Sequence, residues 1–295
     1  MDGIIIINKE KNYTSHDVVA KVKKILNISK VGHTGTLDPN ATGVLPILLN
    51  KGTLLSKYLI NHDKIYTATL KLGEKTDTAD SEGNVIEEKK VEIANIKKEK
   101  VIDVLNSFIG KQNQVPPMYS AIKIDGKKMY EYARKGIKVD LPSRKIEIYN
   151  ISLENIDEEN KLITFTVECS KGTYIRSLCE DIADKLNTVG HMKELKRLKV
   201  GDFKIENSIT LNELEEVIEK NKINDYLISL EKFFEKEEKI VLNDKEIKLF
   251  LNGAFSKNSK KYNLIDGIYR IYTVNNKFIG IGTSKNSELK RDIIL

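Results

Sequence analysis

The chain has little from which to build a metal or redox centre. Only two cysteines occur in 295 residues, Cys169 and Cys179, and they form no C-x-x-C pair. That excludes a thioredoxin-type dithiol and fits a reducing, cytoplasmic compartment. The four histidines, His16, His33, His62 and His191, show no ligand spacing such as H-E-x-x-H, so no metal is expected. No apolar run reaches the roughly 18 residues of a membrane span. The run in the opening MDGIIIINKEKNYTSHD is too short for a secretory signal and follows no charged leader, so no membrane association is expected. Internal repeats and low-complexity tracts are missing, and no G-x-G-x-x-G follows a strand, which argues against a dinucleotide. Arginine is scarce, at six of the 49 basic residues. Lysine therefore supplies the default positive charge, and each arginine marks a place that needs its flat, bidentate fork.

What is present is an ordinary globular balance, 40% hydrophobic and 31% charged, long enough for one large domain and a small one. The net charge of +6 and pI of about 8.9 fit a nucleic-acid partner. Gly3–Asn8 (GIIIIN) reads as a buried strand. TSHDVVAKVKKILN reads as a helix with capping-box spacing at Thr14 and Asp17 and with Val18, Val22 and Ile25 on one face. In IYTATLKLG, Tyr66, Ala68, Leu70 and Leu72 share one strand face; in LITFTVECS, Ile163, Phe165, Val167 and Cys169 do the same. KGTYIRSLCEDIADKLN turns at Gly172 into a helix with a stripe of Ile175, Leu178, Cys179, Ile182, Ala183 and Leu186. EKFFEKEEKIV (231–241) reads as a charged linker into a β-rich tail with a hairpin about Asn275 and Asn276. The expected division is a catalytic domain over 1–235 and a small second domain over 236–295.

One loop, GHTGTLDPNATGVLP (32–46), sets a single carboxylate, Asp38, between apolar elements. A phosphate-loop reading fails because the Walker spacing and its lysine are missing. An H-x-G-H reading fails because Thr36 stands where the second histidine belongs. Asp38 is then either a turn residue before Pro39 or a catalytic group. A carboxylate is ionised at neutral pH and needs no adjacent base, only a dry pocket and a positive neighbour. Arg176 lies in the first turn of its helix, where the dipole disfavours a cation, so it needs an anionic partner, a carboxylate or a phosphate. Tyr66 could stack on a base. The segment VPPMYSAIKIDGKKMYEYARKG interleaves Lys123, Lys127, Lys128, Arg134 and Lys135 with tyrosines. That suits an RNA-gripping segment as well as a solvated helix face.

GHTGTLDPNATGVLP, KIYTATLKLGEKTDTADSEG, QVPPMYSAIKIDGKKMYEYARKGI and CSKGTYIRSLCEDIADKL, in this order, closely resemble the bacterial tRNA pseudouridine synthase B family. The resemblance runs from about Gly3 to Leu211. It implies an α+β pseudouridine-synthase fold, with a mixed central β-sheet, flanking helices and a cleft across the sheet. A small β-rich PUA-like RNA-binding domain would follow, to which the tail is less similar. It implies isomerisation of uridine 55 in the T loop of tRNA without cofactor, by a monomer needing no protein partner. By position, Asp38 resembles the nucleophilic aspartate, Tyr66 the base-stacking tyrosine and Arg176 the arginine paired with the aspartate. His33, Tyr174 and Leu195 resemble substrate contacts, and the basic segment within about 115–145 resembles the insertion that grips the T arm. Lys9, Lys123, Lys127, Lys128, Arg134 and Arg197 are the expected RNA contacts. Two departures stand out. Where the family usually reads D-K-P-x-G-x-T-S this chain reads NKEKNYTS, with Glu10 and Asn12 replacing the proline and glycine. Lys196 stands where the family commonly has arginine, which weakens a bidentate contact.

Overall fold

A computed structural model describes residues 1–119, 123–124, 127–129, 132, 137, 142–255 and 261–295. Its strands, in chain order, are β1 (Gly3–Lys9), β2 (Val31–His33), β3 (Thr42–Leu49), β4 (Lys64–Leu72), β5 (Glu74–Thr76) and β6 (Val85–Glu88). There follow β7 (Gly110–Gln114), β8 (Lys123–Ile124), β9 (Lys127–Lys128), β10 (Arg144–Asp157), β11 (Leu162–Cys169), β12 (Gly190–Val200) and β13 (Phe203–Lys204). The tail supplies β14 (Glu238–Leu242), β15 (Gly267–Thr273), β16 (Phe278–Lys285) and β17 (Glu288–Ile294).

A nine-stranded sheet runs β1-β3-β12-β4-β11-β10-β7, with β2 on β3 and β13 on β12. Its pairs are antiparallel except β3 with β12, which are parallel at Thr42–Lys196 and Gly43–Arg197, so the sheet is mixed as expected. β1 explains its unbroken isoleucine run. Ile4 and Ile6 face one cluster, Ile5 and Ile7 the other, and none is more than 2% exposed. A strand covered on both faces has no polar face to alternate with. β4 and β11 do alternate. Tyr66, Ala68, Leu70 and Leu72 meet Ile163, Phe165, Val167 and Cys169 beneath the helix Ile175–Lys185, whose expected stripe is buried there. The other face carries cross-strand threonine pairs, Thr67–Thr166 and Thr69–Thr164, each 3.2 Å between hydroxyls.

The helix Ser15–Ile25 starts with the expected capping box. The Thr14 Oγ1 accepts from the Asp17 amide at 3.0 Å and Asp17 accepts from the Thr14 amide at 2.8 Å. Thr210 and Glu213 cap the helix Leu211–Glu219 in the same way. Asn12, where the family carries glycine, sits at φ 68, a left-handed conformation asparagine tolerates best after glycine. The Asn12 amide donates to the Pro39 carbonyl at 3.0 Å.

The tail forms a separate four-stranded sheet, β14-β15-β16-β17, with the expected hairpin between β15 and β16. Its strands end at Thr273 and resume at Phe278, because Asn276 takes φ 59 and widens the turn beyond the two asparagines. The linker expected over 231–241 is not a linker. Phe233 and Phe234 amid its charges pack with Ile4, Val44, Ile281 and Ile293, and β14 begins within it. Two adjacent aromatics outweigh the charge run, since either ring buries more apolar surface than a solvated tether would leave exposed.

Candidate active site

Four pieces of chain converge on one side of the sheet. They are the loop between β2 and β3, the start of β4, the middle of β12 and the N-terminus of the Ile175–Lys185 helix. Together they enclose a cleft of about 380 Å³ lined by Asp38, Tyr66, Tyr174, Arg176, Leu195 and Arg197 among others. Five of the six residues assigned to catalysis and substrate contact by resemblance therefore share one cavity. The sixth, His33, is not brought to the cleft wall. It lies on β2 edge-on to His16, ring centroids 6.3 Å apart, with Nδ1 buried and unpartnered among the described residues. Burial, then His16 and Arg197, push its pKa below the ordinary histidine value.

Asp38 is held from beneath. Ser15, the first residue of its helix, accepts from the Leu37 amide at 2.9 Å and donates to the Leu37 carbonyl at 3.1 Å. Lys9 Nζ donates to the carbonyls of Tyr13 at 2.6 Å, Pro39 at 2.9 Å and Glu10 at 3.0 Å. The Ala41 amide closes the turn on the Asp38 carbonyl at 3.0 Å. Arg197 braces the other end, donating from Nε to the Val44 carbonyl at 2.7 Å and from Nη2 to the Gly35 carbonyl at 2.9 Å. The charge of its guanidinium opposes the upward push that burial gives the Tyr66 phenol. Lys9 and Arg197 are 0% and 1% exposed. Both were expected as RNA contacts; here Lys9 spends its ammonium on loop carbonyls, and Arg197 braces the loop while also lining the cleft. Lys196, by contrast, is exposed, and the buried fork belongs to its neighbour Arg197.

Arg176 has the anionic partner that its position at a helix start requires, and it has two. Nε lies 3.3 Å from Asp38 Oδ2, and Nη1 lies 3.4 Å from Asp80 Oδ2. Nη1 also donates to the Thr78 carbonyl at 3.2 Å and Nη2 to the Tyr119 carbonyl at 2.8 Å. Only a planar fork with five donors can serve four acceptors set around it. The side chain of Arg176 is 9% exposed and that of Asp38 39%, so the carboxylate keeps an open side toward the cleft. Asp80 is the site residue that sequence reasoning missed. It lies in TDTADSEG, and its Oδ1 accepts from the Thr78 hydroxyl at 2.6 Å and the Glu82 amide at 3.1 Å. No local signal marks it in the sequence, because the arginine it meets lies 96 residues on.

Tyr66 is 8% exposed and lines the cleft. Tyr174 precedes the helix, its amide and carbonyl clamped by Gln114 at 2.8 and 3.0 Å. Lys123, Lys127 and Lys128 fall on the short strands β8 and β9; Arg134 lies outside the described residues. Among the described residues no group of three or more histidine, cysteine or acidic side chains could hold a metal ion, and no helix is long and apolar enough to cross a membrane.

Comparison with known proteins agrees with this geometry. Residues 23–175 match the model of the TruB family pseudouridylate synthase (N terminal domain), and residues 176–235 that of the tRNA pseudouridylate synthase B C-terminal domain. The tRNA pseudouridine synthase B of Clostridium kluyveri is 45% identical over 292 residues, covering 98% of both chains. That of Clostridium tetani is 46% identical over 292 residues, again covering 98% of both. Among solved structures, a chain of a Cbf5-Nop10-Gar1 complex superposes with a TM-score of 0.66 at 28% identity, covering 96% of this chain and 78% of the other. A cleft built on an aspartate loop, in a chain that models of one family match over residues 23–235 and a relative matches over 98% of its length, leaves one reading: the chain belongs to the TruB family of pseudouridylate synthases.

Proposed function

We propose that this protein isomerises uridine to pseudouridine at position 55 in the T loop of tRNA, with Asp38 acting on a flipped-out nucleotide. The observation that carries this reading is Asp38 itself: a half-open carboxylate fixed by Arg176 at 3.3 Å in a cleft walled by Tyr66. The relatives named tRNA pseudouridine synthase B, similar from end to end, support tRNA as the substrate.

The reaction breaks the N1–C1′ bond and forms a C5–C1′ bond; the hydrogen at C5 leaves and N1 gains one. Atoms and electrons balance within the substrate, so the chemistry calls for no cofactor. Asp38 touches the reacting atoms, as a nucleophile at C1′ or C6 or as a base toward a sugar proton. Extruding the base costs a few kcal/mol. Stacking on Tyr66 recovers about 1–3 kcal/mol. Tyr174 and Leu195 shape the wall against which the base turns. Exposed lysines supply the phosphate attraction, so binding weakens steeply with salt. Residues 1–235 serve as the catalytic body and 236–295 as a PUA-like RNA-binding module, acting as a cytoplasmic monomer.

The test uses transcribed tRNA tritiated at uracil C5, without added metal or nucleotide. Wild type should release tritium; Asp38→Asn should release none while keeping tRNA affinity within a few-fold. Substantial turnover by the variant would remove Asp38 from the chemistry. Tight binding with no release by wild type would point to another RNA target or to a binding protein.

A further inference from the structure

We propose that a second, basic groove beside the cleft carries the RNA strand running out of it, held through its phosphodiesters. This rests on the RNA-modifying reading above. The groove, about 620 Å³, is lined by Lys111 and Asn113 of β7, Lys145 and Glu147 of β10, and Ser170 and Lys171 just past β11. The register sets Lys111 opposite Glu147 and Asn113 opposite Lys145, so these four side chains leave one face of the sheet together.

The groove adjoins the cleft, since Lys171 lines both. Three lysines meet one carboxylate. Among the described residues none of the three has a carboxylate within ion-pair distance; Lys171 donates only to the Asn61 side chain. Elsewhere surface lysines do find acids, as Lys75 does with Glu180 at 3.2 Å and Lys236 with Asp202 at 2.8 Å. Ser170 Oγ accepts from the Glu147 amide at 2.8 Å, which leaves its own hydrogen to donate into the groove. The lining is thus donor-rich, with a single opposing charge beside Lys111. An acidic protein partner would look for an apolar anchor. The groove offers none, since its one aliphatic residue, Ile146, is 4% exposed. A polyanion needs only spaced cations and hydrogen-bond donors. A nucleotide drawn into the cleft drags its flanking phosphates across Lys171, and the next stretch of strand then meets Lys145 and Lys111.

β7 is also the edge of the sheet, and edge lysines can serve merely to block strand addition. Binding measurements separate the two roles. tRNA affinity is measured between about 50 and 200 mM salt for wild type, Lys111→Gln/Lys145→Gln, Lys111→Arg/Lys145→Arg and, as a charge-matched control, Lys23→Gln/Lys24→Gln on the Ser15–Ile25 helix. The glutamine pair should bind about tenfold more weakly, and its salt slope should be shallower by about 2. The arginine pair and the control should follow wild type. Unchanged affinity and slope in the glutamine pair would overturn the proposal and leave these lysines as edge protection. Equal loss in the control would reduce the effect to net charge, and equal loss in the arginine pair would reduce it to packing; either overturns it. Failure of wild type to bind or modify tRNA would sink the underlying reading and the groove together, a result distinct from all of these.

Discussion

At the scale of single residues, the site turns on how buried cations are spent. Arg176 is shared between two carboxylates and two carbonyls, and its Nε edge alone faces Asp38. Lysine keeps the charge but not the fork. Arg176→Lys should cost about 100-fold in single-turnover rate, the usual loss when a catalytic group is displaced by about 1 Å, and no more than a few-fold in tRNA affinity. Equal losses in both would make Arg176 a phosphate anchor. Lys9 carries a different consequence. Burial brings its pKa from the ordinary 10.5 down to about 8, with the Asp38 charge pulling it back up. Below about pH 8 the amine is charged in both folded and unfolded states, and its burial cost is fully felt. Between about 8 and 10.5 the unfolded chain binds the proton that the folded chain has released, so stability rises with pH on this group's account. Lys9→Met removes that rise. Urea midpoints at about pH 7 and about pH 9.5 should show wild type gaining on the variant with pH; a constant gap would mean that Lys9 holds its proton throughout.

At the scale of elements, the catalytic loop depends on a close approach of β3 to β12. Gly43 sits at φ 102 opposite Arg197, and a methyl group there would meet the Arg197 carbonyl at 2.2 Å. Gly43→Ala must therefore push apart the one parallel pairing in the sheet and loosen the Arg197 brace on Gly35 and Val44. We expect a loss of about 2–4 kcal/mol in stability, read by urea denaturation, together with lost activity. Wild-type stability would mean that the strands reseat at no cost. Much of this level was legible in the sequence. The alternation in β4 and β11, the capping boxes at Thr14 and Thr210, and the stripe of the Ile175–Lys185 helix follow from local period and local hydrogen bonding, which neighbouring residues carry by themselves. The same holds for Arg176, whose place at a helix start calls for an anion. What was not legible depends on contacts far apart in the chain. Nothing near Lys9 says that Pro39, thirty positions on, will cap its ammonium, so its charge reads as surface charge. Asp80 reads as a turn because its partner lies 96 residues away. Arg197 stands out in KELKRLK as a scarce arginine, but only the sheet shows that its fork serves the carbonyls of Gly35 and Val44.

At the scale of the whole molecule, the second sheet is joined to the first through a seam that the charge pattern conceals. Phe234 is 3% exposed, edge-on to Tyr58 at 5.0 Å and to Phe233 at 4.8 Å, in a cluster that takes Ile4 and Ile6 from β1 and Ile281 and Ile293 from β16 and β17. Lys57 and the Tyr58 hydroxyl both bond Asp292 across the same seam. The tail also has its own core, with Leu242, Phe250, Ile271 and Leu289 fully buried within it. A sheet with its own core and a shared seam should separate before it melts. Phe234→Ala removes a ring worth about 3–5 kcal/mol where the surroundings cannot collapse. Its cost should fall on the seam. Amide exchange should quicken along β1, β16 and β17, while β4 and β11, whose core lies under the Ile175–Lys185 helix, keep wild-type protection. tRNA affinity should fall if the tail helps to hold the substrate, since its orientation on the body would no longer be set. Exchange quickened equally in β4 and β11 would show that body and tail unfold as one cooperative unit, with the seam as ordinary core.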